Sequence, residues 1–193
     1  GTWFGYQQYG VKPDFVTMAK GVASGYAAIA CMVTTERVFD MFKAAPDDPM
    51  DYFRDISTFG GCTAGPAAAI ENMAIIEEEG LLENTVVMGE RILENLNALA
   101  EKHAVIGDVR GKGLFAGAEL VADRTTKEPI DEKLVQRVVA DCMQQGVIIG
   151  ATNRSLTGFN NTLCLSPALI ATADDIDAIT DAIDAALGRV FGG

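Results

Sequence analysis

The sequence contains one histidine and four cysteines, too few and too scattered for a zinc site. His103 lies near the end of a predicted helix, where we expect a structural or surface role. The cysteines form no C-x-x-C pair, and each has apolar or small neighbours; they are Cys31, Cys62, Cys142 and Cys164. We therefore expect core thiols in a reducing cytoplasm, not disulfides or metal ligands.

Long hydrophobic runs and positive charge are also scarce. No apolar run approaches the roughly 20 residues that span a bilayer, and from these residues we expect no signal peptide. Fifteen basic residues against 27 acidic ones give a net charge of -12, which argues against nucleic acid and against anionic membrane surfaces as partners. With 49% hydrophobic residues, we expect a soluble globular protein of one or two domains.

Apolar segments and turn signals predict a chain of mixed helices and strands. Strands are predicted over residues 14–19, 27–34, 114–121, 147–150 and 162–166, and helices over 35–44, 66–79, 82–102, 131–145 and 172–190. The first two strands are largely apolar, which predicts a sheet buried on both faces. Prolines and aspartates predict a loop over 45–51. We place a boundary near Gly80 and expect the second half to form an α+β unit.

Lys20 is the first candidate for chemistry. It ends a short apolar run and is followed at once by a small loop, Gly21 to Gly25. In an apolar site, desolvation disfavours the ammonium form of a lysine, and the neutral amine can attack an aldehyde. From spacing alone, a surface lysine just past a strand end is the more frequent case.

Two further segments could bind anions. Ser57-Thr58-Phe59-Gly60-Gly61 places two hydroxyls and two glycines together, which can cradle a phosphate but also suits a plain turn. Arg154 lies in a polar loop between two predicted strands. Its guanidinium could bind an oxyanion bidentately and swing away, or could simply face solvent. Arg110, beside two glycines, is interpreted as structural.

Three blocks, in order along the chain, resemble class III (omega-type) aminotransferases. They are Trp3-Phe4-Gly5-Tyr6-Gln7-Gln8-Tyr9-Gly10-Val11-Lys12-Pro13-Asp14 with Met18-Ala19-Lys20-Gly21, then residues 57–61, then Val109-Arg110-Gly111-Lys112-Gly113-Leu114. The resemblance implies an α/β fold, that of the fold-type I transferases that use pyridoxal 5'-phosphate (PLP). It also implies that residues 1–80 are the last part of the large sheet domain and that 81–193 are the small C-terminal α+β domain.

The resemblance also implies a site. In that family the lysine matching Lys20 carries PLP covalently and moves protons during catalysis. The threonine matching Thr58, with Ser57 beside it, binds the cofactor phosphate of the neighbouring subunit, which implies a homodimer or a dimer of dimers with shared active sites. An arginine from the region of Arg154 binds the substrate carboxylate. This chain has Cys62 after the two glycines, where the family usually has a small or polar residue followed by proline.

The expected activity is transfer of an amino group from an omega-amino acid or aminosulfonate (taurine-like) donor to pyruvate or another 2-oxo acid. Variations around the motifs, such as Pro167-Ala168-Leu169, look most like the taurine–pyruvate branch. The alternatives are a PLP-dependent aminomutase or decarboxylase of the same fold, or a non-catalytic homologue that acts as an assembly domain. The family's ring-binding aspartate, stacking aromatic and own-subunit phosphate loop are absent, so we expect these 193 residues to be inactive alone.

Overall fold

The protein falls into two compact units. The computed structural model describes residues 1–43, 47, 50 and 52–192. One unit comprises Thr2–Gly80, and the other begins at Leu81 and also includes Gly1. Within the described ranges, no helix is long and apolar enough to cross a membrane.

The first unit is built around a β-hairpin and one long helix. Strand β1 (Phe15–Ala19) pairs antiparallel with β2 (Ala30–Thr34), so that Phe15 lies opposite Thr34 and Ala19 opposite Ala30. Helix α1 (Glu36–Phe39) is short, and α2 (Ala64–Glu78) ends before Gly80, which adopts a φ of +63°. Single 3-10 turns cover Gly5–Tyr9, Lys20–Ala23 and Asp40–Phe42.

Several expectations for this unit are wrong in detail. The predicted sheet buried on both faces is a two-stranded sheet in the described residues, and Phe15, Met32 and Val33 are each more than half exposed. Within the described ranges this sheet consists of the two strands alone, so these side chains stay in contact with solvent. The predicted helix over 35–44 is α1 followed by a 3-10 turn, and Ala44 lies outside the described residues. So does most of the predicted loop over 45–51.

The second unit has three helices and one antiparallel sheet. In chain order its elements are α3 (Leu81–Lys102), β3 (Ile106–Lys112), β4 (Phe115–Asp123), β5 (Glu128–Pro129), α4 (Glu132–Gln144), β6 (Gly150–Ala151), β7 (Thr162–Leu165) and α5 (Ala173–Phe191). The strand order is β3-β4-β7-β6, with β5 beside β4. Asp131 caps α4 by accepting a hydrogen bond from the amide of Lys133, and Thr172 caps α5 in a capping box with Asp175.

Strand β3 was not predicted, because its glycines weaken the pattern of a strand. Gly111 shows why a glycine is needed there: a Cβ atom would lie 2.8 Å from the Cα of Ala116 and from the carbonyl oxygen of Phe115. The strand therefore approaches β4 more closely than a side chain allows. Arg110 lies on β3 and pairs with Asp108 at 2.5 Å and with Glu119 of β4 at 2.7 Å, which confirms its structural interpretation.

The main core lies between the three helices and the sheet of this unit. Its fully buried side chains include Ile92, Leu96, Ile106, Leu120, Val135, Val138, Leu163, Ile176, Ile183 and Leu187. Each contributes about 1.5–3 kcal/mol by leaving water. Helix α3 packs so closely that a Cβ on Gly89 would lie 2.6 Å from the backbone of Gly113.

The four cysteines are free thiols, but only one of them is fully buried. Cys142 is in the core, and burial raises the pKa of its thiol to about 11. Cys31 and Cys164 are half-buried, whereas Cys62 is exposed, so the expectation of a core thiol is wrong there. Its position in an exposed turn explains the difference. His103 confirms its structural interpretation: its Nε2 atom lies 2.5 Å from the Asp184 carboxylate.

Candidate functional site

Lys20 directly follows β1 and begins the turn Lys20–Ala23. Its φ of +54° lies in the left-handed region, as does that of Ser24 at +50°. A non-glycine residue held there costs about 1–3 kcal/mol, and such strain clusters at functional sites. The predicted apolar environment is not formed by the described residues, because Lys20 is exposed and the hairpin beside it is open to solvent.

Asn72 of α2 holds the turn after Lys20. Its Nδ2 atom donates to the carbonyl oxygens of Gly21 at 3.1 Å and Val22 at 3.2 Å. Ala23, at the end of the turn, is almost fully buried and anchors it. The sequence analysis did not predict a role for Asn72, because it lies beside Glu71 in α2 and its partners are about 50 positions away.

Ser57 and Thr58 lie in an exposed turn that leads into α2. The amide of Ser57 donates to the Asp55 carboxylate at 2.9 Å, and hydrogen bonds from the Ser57 side chain and backbone hold the pKa of Asp55 below its usual value. The amide of Gly60 donates to the carbonyl of Ser57 at 3.0 Å. Ser57 is therefore engaged locally, whereas the hydroxyl of Thr58 makes no hydrogen bond within the described part of the chain.

Arg154 lies in the other unit, in the exposed loop between β6 and β7. At the base of this loop, the Thr152 amide donates to the Thr162 carbonyl at 2.9 Å, and the Thr162 amide donates to the Thr152 hydroxyl at 3.2 Å. The Ser155 amide donates to Oδ1 of Asn160 at 2.9 Å across the loop. The guanidinium of Arg154 has no hydrogen-bond partner among the described residues and is free to meet an anion.

The predicted site residues therefore divide between the two units. Lys20, Ser57 and Thr58 belong to the first unit, and Arg154 belongs to the second. All four side chains are exposed, so each can contact a ligand or a further polypeptide. Their chemistry fits PLP: an amine for the aldehyde, a free hydroxyl at a glycine-rich turn for the phosphate, and a cation for a substrate acid group.

Residues 1–187 match the sequence profile described as "Aminotransferase class-III". The chain belongs to the class III aminotransferases and has their α/β, fold-type I architecture. It is 82% identical over 191 residues to the hypotaurine/taurine–pyruvate aminotransferase of Paracoccus denitrificans, covering 99% of this chain and 42% of that protein. It is 73% identical over 190 residues to the taurine–pyruvate aminotransferase of Rhodobacter capsulatus, covering 98% of this chain and 41% of that protein.

Solved structures agree with this assignment. A Bacillus anthracis aminotransferase superposes with a TM-score of 0.90 at 40% identity, covering 96% of this chain and 41% of the other. A PLP-bound amine transaminase from an uncultivated Pseudomonas species gives a TM-score of 0.83 at 30% identity, covering 97% and 41%. The chain thus spans about two fifths of the length of the relatives it matches.

Proposed function

We propose that this chain is part of a PLP-dependent aminotransferase that moves the amino group of an aminosulfonate or omega-amino acid to pyruvate or another 2-oxo acid. The observation that carries the proposal is the 82% identity, over nearly the whole chain, to a hypotaurine/taurine–pyruvate aminotransferase. In this proposal, residues 1–80 are the last part of the large PLP-binding domain and residues 81–193 are the small domain.

Lys20 is the proposed catalytic residue. Its Nζ amine would hold the cofactor by condensing with the PLP aldehyde with loss of water, and when released by a substrate amine it would act as the general acid and base that moves the substrate proton. When bound, PLP supplies the electron sink for the reaction. The left-handed backbone at Lys20 supports this role, because surrounding structure must maintain such strain.

Thr58 is the proposed phosphate ligand, with Ser57 beside it. The Thr58 hydroxyl and the turn amides can donate to phosphate oxygens, and Ser57 orders the turn through Asp55. By analogy with the family, the phosphate belongs to the neighbouring subunit, so the assembly is a homodimer or a dimer of dimers. Thr58→Ala in the complete enzyme should raise the Kd for PLP, whereas Thr63→Ala, a nearby exposed threonine, should not.

Arg154 is the proposed ligand of the substrate acid group. Sulfonate and carboxylate are both anions with oxygen acceptors, and a guanidinium can bind either bidentately. Its exposed position on a loop suits a group that binds the acid of the donor and of the 2-oxo acid in turn. In a ping-pong reaction both substrates use the same site in succession, so one acid-binding group serves the donor and then the 2-oxo acid.

The test uses the complete enzyme encoded by the reading frame that carries this chain. With taurine and pyruvate, we expect alanine to form and the purified protein to be yellow. Lys20→Ala should remove turnover, while Lys12→Ala, another exposed lysine in this unit, should retain it. The 193 residues alone should not turn over, because Lys20 is exposed to water there.

Each rival has its own outcome. Release of carbon dioxide, or movement of the amino group without consumption of pyruvate, would establish a decarboxylase or an aminomutase instead. Unchanged function in Lys20→Ala, together with colourless protein, would establish a non-catalytic assembly domain.

A further inference from the structure

Glu132, the first residue of α4, holds the loop that carries Arg154. A single carboxylate oxygen, Oε1, accepts three hydrogen bonds from that loop. They come from the amide of Gly158 at 2.6 Å, the amide of Asn160 at 3.2 Å and the side-chain Nδ2 of Asn160 at 3.1 Å. The C-terminal part of the loop is therefore hydrogen-bonded to α4 of the same unit. The two ends of the loop are also joined to each other, by the hydrogen bonds between Thr152 and Thr162.

Asn160 passes this constraint on to the residue next to Arg154. While its Nδ2 atom donates to Glu132, its Oδ1 atom accepts from the amide of Ser155 at 2.9 Å. Asn160 therefore links the Glu132 carboxylate to the backbone amide of Ser155. Asn160 is half-buried, and Asn161 beside it is 4% exposed and donates to the carbonyl of Leu120 at 2.6 Å.

The charge of Glu132 strengthens the arrangement. Hydrogen bonds to an ionised acceptor are roughly twice as strong as those between neutral groups. The amides of Asn160 and Gly158 hold the pKa of the Glu132 carboxyl below its usual value, so the carboxylate stays ionised at neutral pH. A carboxylate in the first turn of a helix is also favoured by the helix dipole.

The hydrogen bonds do not serve the core. Residues 153–159 are all exposed, and the two large apolar side chains among them, Leu156 and Phe159, are 78% and 58% exposed. Gly158 adopts a φ of +89°, a left-handed conformation that favours glycine, and its amide donates to Glu132. What the three bonds order is the backbone on the C-terminal side of Arg154, at Gly158 and Asn160.

We propose that Glu132 is a positioning residue for substrate binding: through Asn160 and Ser155 it fixes the backbone that presents Arg154 to the acid group of the substrate. The proposal rests on the proposed role of Arg154 as the ligand of that acid group. In this role Glu132 acts through the loop and not through a contact of its own with the substrate. Its effect is to reduce the conformational freedom that the loop would lose each time an anion binds.

The experiment compares Glu132→Ala, Glu132→Gln, Asn160→Ala and Arg154→Ala in the complete PLP-loaded enzyme. Three quantities are measured: the KM and kcat for taurine, the inhibition constant of ethanesulfonate, which has the anion but no amine, and the Kd for PLP. Glu101→Ala is the matched control, because Glu101 is an exposed helical glutamate with no side-chain hydrogen bond in the described segments.

We expect Glu132→Ala and Asn160→Ala to raise the KM for taurine and the inhibition constant of ethanesulfonate together, each about tenfold, with kcat and PLP affinity within about twofold. Glu132→Gln retains the acceptor oxygen but loses the charge, so it should shift both constants in the same direction by less. If Glu132→Ala fails to fold, the KM and the inhibition constant of Glu132→Gln test the positioning role instead.

Unchanged constants in the Glu132 and Asn160 variants, alongside raised ones in Arg154→Ala, overturn the positioning role and leave the proposed function standing. A fall in kcat and in PLP affinity without a selective loss of anion binding also overturns it, since that is what general disruption produces. If Arg154→Ala itself binds ethanesulfonate normally, the role of Arg154 is wrong and the positioning role falls with it.

Discussion

Asn72, in the middle of α2, donates a hydrogen bond of 3.1 Å from its Nδ2 atom to the carbonyl oxygen of Gly21. This bond links α2 to the turn that follows Lys20. The same Nδ2 atom donates to the next carbonyl, that of Val22, at 3.2 Å. The Gly21 carbonyl also accepts from the Ser24 amide at 3.2 Å within the turn, so the Asn72 side chain adds a bond to a helix outside the turn. The left-handed backbone of Lys20 is adjacent to these bonds, so α2 helps to maintain it.

Asn72→Ala should therefore reduce activity without removing it. If Lys20 has the catalytic role proposed above, kcat of the complete enzyme should fall roughly tenfold, because a small displacement of a reacting group is costly. Steady-state kinetics with taurine and pyruvate measure this. Asn97→Ala is the control, since Asn97 is exposed on α3 and bonds only to the Leu93 carbonyl of its own helix. Equal kcat values in the two variants would show that the turn holds Lys20 without Asn72.

The backbone strain at Lys20 predicts a difference in stability between two Lys20 variants. Lys20→Ala keeps a Cβ atom at a φ of +54°, whereas Lys20→Gly removes it. We expect Lys20→Gly to be more stable than Lys20→Ala by about 1 kcal/mol, the cost of left-handed backbone for a residue with a side chain. Urea denaturation of both variants measures the difference. A Lys20→Gly variant no more stable than Lys20→Ala would mean that the strain is absent in solution.

Two helical glycines should respond oppositely to alanine. A Cβ on Gly89 of α3 would lie 2.6 Å from the backbone of Gly113, whereas one on Gly188 of α5 would meet nothing within 4 Å. Gly89→Ala should cost about 1–3 kcal/mol through overpacking. Gly188→Ala should stabilise by about 0.5–1 kcal/mol through helix propensity. Thermal melts followed by circular dichroism report both, and a stabilising Gly89→Ala would contradict the close contact.

The ion pair between α3 and α5 predicts a loss of stability in acid. Arg91 donates to both carboxylate oxygens of Asp177, and this bonding holds the pKa of Asp177 below its usual 3.8. The folded state therefore binds fewer protons than the unfolded one near that pH. The stabilisation is fully present above pH 3.8 and is lost as pH falls through the lower folded pKa.

Melting temperatures across pH 2–7 measure this effect. Asp177→Asn should melt below the parent chain at neutral pH, and the gap should close in acid. Added salt should narrow it, because both side chains are about 40% exposed. Asp181→Asn, an exposed aspartate on the same helix with no side-chain hydrogen bond in the described chain, is the control. A difference in melting temperature that does not change with pH would mean that Asp177→Asn destabilises the fold through altered packing and not through the lost charge.

Local patterns carried most of the helix predictions. The helix predicted over 82–102 matches α3 to within one residue at its start, and the helix predicted over 172–190 matches α5 to within one residue at each end. These features depend on neighbours within a few positions, which a sequence displays directly. The family assignment was also available from short motifs, and the match over residues 1–187 confirms it.

Other features could not be predicted because they depend on residues far apart in the chain. Strand β3 exists because β4 pairs with it through close backbone contacts at Gly111. The bond from Asn72 to Gly21 spans 51 positions, and that from Gly158 to Glu132 spans 26. No local pattern predicts partners at such separations.

The sequence by itself determined the family, as the match over residues 1–187 confirms, and the approximate bounds of the four longer helices. It also singled out Lys20 as the first candidate for chemistry. The tertiary structure decided how these residues are presented. It placed Lys20 on a left-handed, exposed turn held by Asn72, and it placed Arg154 on a loop held by Glu132. The physical reason is that helix propensity and capping act over one turn, whereas hydrogen bonds between distant segments form only after the chain has brought them together.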